Sequence, residues 1–116
     1  MDTKIYKSRE DQLMQPKARP MTPGQVAAGL LDELNLSQTE LAQRIGVSRA
    51  TVNEVINGRR SLTPDMAHRL GRFFGNGAAV WLRMQATVQM WDALHMDQSV
   101  YASIEPVQAE PEAIAT

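Results

Sequence analysis

The sequence predicts an all-α domain of five helices, and three observations carry that prediction. Apolar residues recur at helical spacing through five segments between residues 21 and 96, and no run there alternates as a strand would. The dipeptide Thr-Pro occurs twice, at Thr22-Pro23 and Thr63-Pro64, each ahead of such a segment. Threonine caps a helix, and proline at the first helical position gives up an N–H that has no intrahelical partner. Between them, Ser37 to Gly58 (SQTELAQRIGVSRATVNEVING) holds two short capped segments joined by a glycine turn.

Taken in order, residues 1–20 mix charges with Gln, Ser, Pro16 and Pro20, with apolar anchors at Ile5, Tyr6, Leu13 and Met14. That composition predicts a flexible N-terminal tail. The first helix runs from Pro23 to Asn35 and turns Val26, Ala27, Leu30, Leu31 and Leu34 inward. Gly24 and Gly29 each weaken it by roughly 1 kcal/mol relative to alanine. The second starts at Ser37, which with Glu40 forms a capping box, carries Leu41, Ala42 and Ile45, and ends at Gly46, where a positive φ is free of a Cβ clash. Val47 tucks the turn onto the core. Ser48 caps the third helix, whose stripe is Val52, Val55 and Ile56 and whose stop is Asn57-Gly58. The fourth runs from Pro64 to Phe74 on Met66, Ala67, Leu70, Phe73 and Phe74. After Gly75-Asn76-Gly77 a long fifth helix spans Ala78 to Met96. Residues 97–116, with Pro106, Pro111 and no basic residue, predict an acidic flexible tail in which Tyr101 and Ile104 are the local docking residues. The organisation is therefore 1–20 tail, 21–96 compact domain with a helix-turn-helix at 37–58, and 97–116 tail.

A chain of 116 residues supports one core of this size. With no cysteine there is neither a disulfide frame nor a thiolate metal site. No apolar run approaches the ~20 residues of a membrane span, and MDTKIYKSREDQ has no hydrophobic signal region, so no membrane partner and a cytoplasmic location are expected. The net charge of -1 hides an uneven distribution. Residues 1–20 carry five bases against three acids, residues 97–116 carry four acids and no base, and Ser37 to Arg60 carries four arginines against two glutamates. The middle stretch is thus locally basic, enough for a few phosphate contacts and too little for a general DNA coat. His68, beside Asp65 and Arg72 on the polar side of the fourth helix, and His95 near the end of the fifth read as solvated residues. Asp65 suits the first turn of its helix, next to the positive end of the dipole. No catalytic group, metal site or cofactor is implied, and an enzyme is not expected.

With Val52 at the core, a step of ~100° per residue leaves Ala50, Asn53, Glu54 and Asn57 on the solvent side of the third helix, flanked by Arg49 and Thr51. These are base-reading chemistries. Arg49 can donate twice to guanine, Asn53 can bridge adenine, Glu54 can accept from a cytosine amino group, and Ala50 or the Thr51 methyl can pack on thymine. On the fifth helix Trp81, Met84, Val88 and Trp91 are spaced 3, 4 and 3 residues apart, with Val80 and Leu94 beside them. The first half of this stripe fits either the core or an interface. The half with Val88, Trp91 and Leu94 predicts a homodimer, because a small core cannot absorb the whole stripe. A dimer sets two reading helices about 34 Å apart, as a palindrome requires.

Residues 19–91 resemble the HigA/VapI branch of the Cro/cI-type (XRE) helix-turn-helix family, antitoxins of type II toxin-antitoxin pairs. The marks are Pro23-Gly24, the run NGRRSLTPDMAHRL from Asn57 to Leu70, and WLRMQ from Trp81 to Gln85. Gln25, where glutamate is common, and Arg83, where an amide is common, depart from the pattern outside the reading face. The resemblance implies a five-helix, lambda-repressor-like domain. It assigns phosphate contacts to Gln38, Ser48, Asn57, Arg59 and Arg60, and base contacts to Arg49, Ala50, Thr51 and Glu54, with Asn53 beside them. It further implies a dimer that binds a palindromic operator in double-stranded DNA, represses its own operon, and neutralises a RelE/HigB-like toxin that cleaves messenger RNA. The toxin-binding surface stays open between the N-terminal tail, helices one and five, and the acidic tail. A stand-alone XRE-type repressor of phage or stress genes, without a toxin, is the alternative.

Overall fold

The computed structural model describes residues 17–107. Six helices follow one another, with no strand among the described residues: α1 (Pro23–Leu34), α2 (Gln38–Ile45), α3 (Arg49–Ile56), α4 (Pro64–Phe74), α5 (Ala78–His95) and α6 (Ser99–Ala102). The first five are those the sequence predicts. The sixth corrects the expectation that residues after Met96 are unstructured. It is a single turn that begins where Asp97 accepts from both the backbone and the hydroxyl of Ser99, and none of its residues is buried. The N-terminal anchors Ile5, Tyr6, Leu13 and Met14, and the acids Glu110 and Glu112, lie outside the described residues.

Local chemistry sets the helix ends. Thr22 Oγ1 accepts from the Gln25 N–H at 3.0 Å, and Gln25 Oε1 accepts from the Thr22 N–H at 2.8 Å. The complete reciprocal capping box therefore lies here. At the second helix Ser37 accepts from Glu40 N–H at 3.0 Å, the serine half of the motif expected there. Helix α1 stops one residue earlier than predicted, because Asn35 adopts the left-handed conformation at φ 55° and caps it. Thr63 caps α4 by accepting from Met66 N–H at 3.1 Å.

These helices close over one apolar core built from Ala27, Leu31, Leu41, Ala42, Ile45, Val52, Val55, Leu62, Met66, Ala67, Leu70 and Trp81. No polar or charged side chain is buried in it. Trp81 has no exposed surface, and its indole N–H donates to Asn76 Oδ1 at 2.8 Å while its ring lies 5.6 Å from that of Phe74. The Asn76 turn thus satisfies the one polar atom that the tryptophan carries inside. Val88 is also buried. Val88 accordingly belongs to the protomer's own interior, which corrects its assignment to an interface, and of the two alternatives for Trp81, core or interface, the structure has the core. Val80, Met84, Trp91 and Leu94 remain half-exposed along α5.

Two contacts tie α5 to the rest, one near its C-terminal end and one at its middle. Before α1, Arg19 donates through Nε and Nη2 to the two carboxylate oxygens of Asp92 at 2.8 and 2.9 Å, so residues 17–20, assigned to a flexible tail, are anchored at Arg19. The hydrogen bond from Arg19 holds the Asp92 carboxyl below its ordinary range. This pair is intact above the ordinary carboxylate range and is lost as pH falls through the lowered value of Asp92. Farther up α5, the Gln85 amide pairs with both backbone groups of Leu62: its Nε2 donates to the carbonyl at 2.8 Å, and its Oε1 accepts from the N–H.

The two glycines of α1 are not equivalent. A Cβ on Gly24 would stand 2.3 Å from the Val55 carbonyl oxygen and 2.6 Å from that of Ile56, whereas one on Gly29 meets nothing within 4 Å. Gly24 lets α1 lie directly on the end of α3. Gly24→Ala should therefore destabilise the fold by about 1–3 kcal/mol through overpacking, and Gly29→Ala should stabilise it by roughly 0.5–1 kcal/mol. Urea unfolding of both variants checks this pair, and equal midpoints would remove the close approach as a constraint.

Candidate nucleic-acid interface

Helix α2 ends on Gly46 at φ 75°, whose N–H closes onto the Ala42 carbonyl. Val47 donates to the same carbonyl at 3.0 Å, and Ser48 then starts α3 by accepting from the Thr51 N–H at 3.0 Å. The corner is held from below by α4. Arg69 Nη1 donates to the Ile45 carbonyl at 2.6 Å while its Nε donates to Asp65 at 2.9 Å. A carbonyl at the C-terminal end of a helix lacks an intrahelical donor, and a guanidinium supplies one. Sequence reasoning missed this role. The available signal was Asp65 lying four residues before Arg69 on one helix, which marks an oriented arginine.

The sequence-predicted reading residues divide into three groups. Arg49 and Ala50 are exposed and line, with half-buried Asn53, one shallow open depression. Arg49 makes no ion pair with the described residues. Asn53 is oriented by a neighbouring helix, for its Nδ2 donates to Gln38 Oε1 at 3.0 Å. A residue expected at the bases and one expected at phosphate thus form one amide pair across the corner. Thr51 and Ser48 share a hydroxyl contact at 2.9 Å, which turns both hydroxyls towards the cap. Glu54 and Arg60 are joined to each other: Arg60 Nε donates to Glu54 Oε2 at 2.7 Å. The structure thus couples a residue assigned to bases with one assigned to phosphate.

The stop after α3 is a tight reversal. Asn57 Nδ2 donates to the Asn53 carbonyl at 3.0 Å, Gly58 N–H to the Val55 carbonyl at 3.1 Å, and Arg59 N–H to the Glu54 carbonyl at 2.8 Å. Asn57, Arg59 and Arg60 are exposed around it. His68 and His95 are exposed as expected, with His95 stacked on Trp91 at 3.8 Å between ring centroids. Asp65 pairs with Arg69 rather than with its neighbour His68. Among the described residues no group of His, Asp and Glu could hold a metal ion, and no helix is long and apolar enough to cross a membrane.

The helix-turn-helix family profile matches residues 29–81. The chain is 37% identical over 81 residues to the HTH-type transcriptional regulator YbaQ of Escherichia coli strain K12, spanning 69% of this chain and 72% of that one. It is 32% identical over 92 residues to antitoxin HigA-1 of Vibrio cholerae serotype O1, spanning 78% and 87%. Its fold is similar to that of Pseudomonas aeruginosa antitoxin HigA, solved with the higBA promoter, at a TM-score of 0.69 and 33% identity over 77% of this chain and 99% of that one.

If Arg69 holds the corner, Arg69→Ala should lower stability by about 1–2 kcal/mol, as expected for losing a charge-assisted hydrogen bond to a carbonyl. The measurement is the urea midpoint. A midpoint equal to that of the native chain would show that the corner stands without α4.

Proposed function

Because the chain belongs to the HigA-type branch of the Cro/cI-like helix-turn-helix family, a family of DNA-binding regulators rather than enzymes, we propose that it is the antitoxin of a type II toxin-antitoxin pair. It binds a palindromic operator as a homodimer, represses its own operon in the cytoplasm, and neutralises a RelE/HigB-like messenger RNA endonuclease by direct contact. The observation that carries the DNA-binding part is the strip of exposed Arg49 and Ala50 with half-buried Asn53 on a short helix fixed at its start by Ser48 and across the corner by Gln38. Polar side chains held in place on a protruding helix are what base-edge recognition needs. The identity to proteins named as antitoxins supports the toxin-antitoxin part.

In this reading Arg49, Ala50, Thr51, Asn53 and Glu54 face the bases. Gln38, Ser48, Asn57 and Arg59 lie towards the backbone, and Arg60 is held against Glu54. The half-exposed stripe of Val80, Met84, Trp91 and Leu94 is the face offered to a second copy, without the buried Trp81 and Val88. Residues 21–96 form the DNA-binding and dimerisation domain. The identity to a chain named as a transcriptional regulator supports the second reading, a repressor with no toxin.

Co-expression with the product of the adjacent gene, scored by growth and pull-down, separates the two readings. Binding with rescue from toxicity is the expected result, and no binding with no toxicity leaves the stand-alone repressor. On the operator, Arg49→Ala should cost roughly 1–3 kcal/mol and relax preference at one base, whereas Arg59→Ala should weaken all duplexes alike. Titration of both variants against single-base operator variants checks this contrast; uniform weakening by Arg49→Ala would move that arginine to the backbone.

A further inference from the structure

Two arginines follow α3, and their surroundings differ. Arg59 is exposed and makes no ion pair with the described residues. Arg60 is committed, with its Nε donating to Glu54 Oε2 at 2.7 Å. The backbone places it there. Gly58 takes φ 71°, and the Arg59 N–H binds the Glu54 carbonyl. The chain is caught again two residues beyond Arg60, where Leu62 is buried and its N–H and carbonyl both pair with Gln85 of α5. A residue fixed on both sides is delivered back over the helix it has just left.

We propose that Arg60 is a positioning residue for Glu54, and that the two read an exocyclic amino group, that of cytosine, as one device. The inference rests on the proposal that α3 enters the major groove. An ionised carboxylate is an acceptor only. With Oε2 occupied by Arg60, Oε1 accepts no hydrogen bond from the described residues and is the oxygen left for a base. The acceptors of guanine, the keto oxygen of thymine and the N7 acceptor beside the adenine amino group repel it, and the cytosine amino group satisfies it. The guanidinium does two further things. It offsets a negative charge that would otherwise sit among phosphates spaced about 1.7 Å per charge along the duplex. It also holds one rotamer of a flexible side chain, reducing what must be ordered on binding. An arginine acting this way contributes to preference at one base, not to affinity everywhere.

The full chain is first allowed to select its operator from duplexes with randomised cores. Binding to every single-base variant of that operator is then measured for the native chain, Glu54→Gln, Arg60→Ala, their combination and Arg59→Ala. The expected result is that Glu54→Gln and Arg60→Ala each lose about tenfold of preference at the same base position of the half-site. The combination should lose no more than either alone, and Arg59→Ala should weaken all duplexes equally. Because the pair lies on the surface, unchanged helical content and melting temperature identify the variants as folded. If Arg60→Ala weakens every duplex alike and lowers the salt dependence by about one phosphate contact, Arg60 is a backbone ligand and the proposal is overturned. Unchanged preference in Arg60→Ala overturns it as well. Failure of the native chain to select any sequence is a distinct result that overturns the DNA-reading proposal itself, and this one with it.

Discussion

An eight-residue helix cannot hold itself together in water, since its few hydrogen bonds do not offset the cost of nucleation. The direction in which α3 points is therefore decided by what grips it. Its end lies against α1 at a glycine that admits no side chain. Its middle is joined to α2 by the amide pair of Gln38 and Asn53. Its exit loop is tied to α5 by Gln85. With Val52 and Val55 in the core, rotation of α3 about its own axis would break its contacts to α1 and α2 at once. The orientation of α3 is consequently set by the rest of the domain, although the element is one of the shortest.

The burial of Trp81 and Val88 shapes what α5 can do. One side of the helix closes the protomer, while Val80, Met84, Trp91 and Leu94 remain half-exposed. The helix thus serves two surfaces with one sequence. Gln85 reaches from it to the loop carrying Arg59 and Arg60. Any partner seated on α5 is one hydrogen-bonded step from that loop.

Most of the fold was legible because its signals are local. Thr-Pro starts, the Ser48 cap, Gly46 at positive φ and helical apolar spacing act within a turn or two of chain, and the structure contains each of them. The third-helix positions with exposed or half-exposed side chains were also legible, since angular position on a helix follows from counting. Long-range pairings were not. Nothing in the spacing distinguishes Gly24, crowded by α3, from Gly29, which is open, because the neighbour that decides lies about thirty residues away. The same limit hid the Arg69 support and the Gln85 clamp. It also separated Trp81 from the surface: composition suggested a surplus of large apolar groups, and the polar partner that lets the indole enter, Asn76, reads in sequence only as a turn residue. The Glu54 and Arg60 roles were assigned one residue at a time, whereas the reversal after α3 makes them a pair.

Among the described residues, the interior holds no side chain that can gain or lose a proton. Within the described residues, each charge that is paired meets its partner at the surface, where such a pair contributes little and is screened by salt. Acidity and ionic strength therefore act first on the outside of this protein, at surface pairs such as Arg19 with Asp92, rather than on the apolar packing beneath. The first thing a change of medium meets in this molecule is thus its surface pairing, not its core.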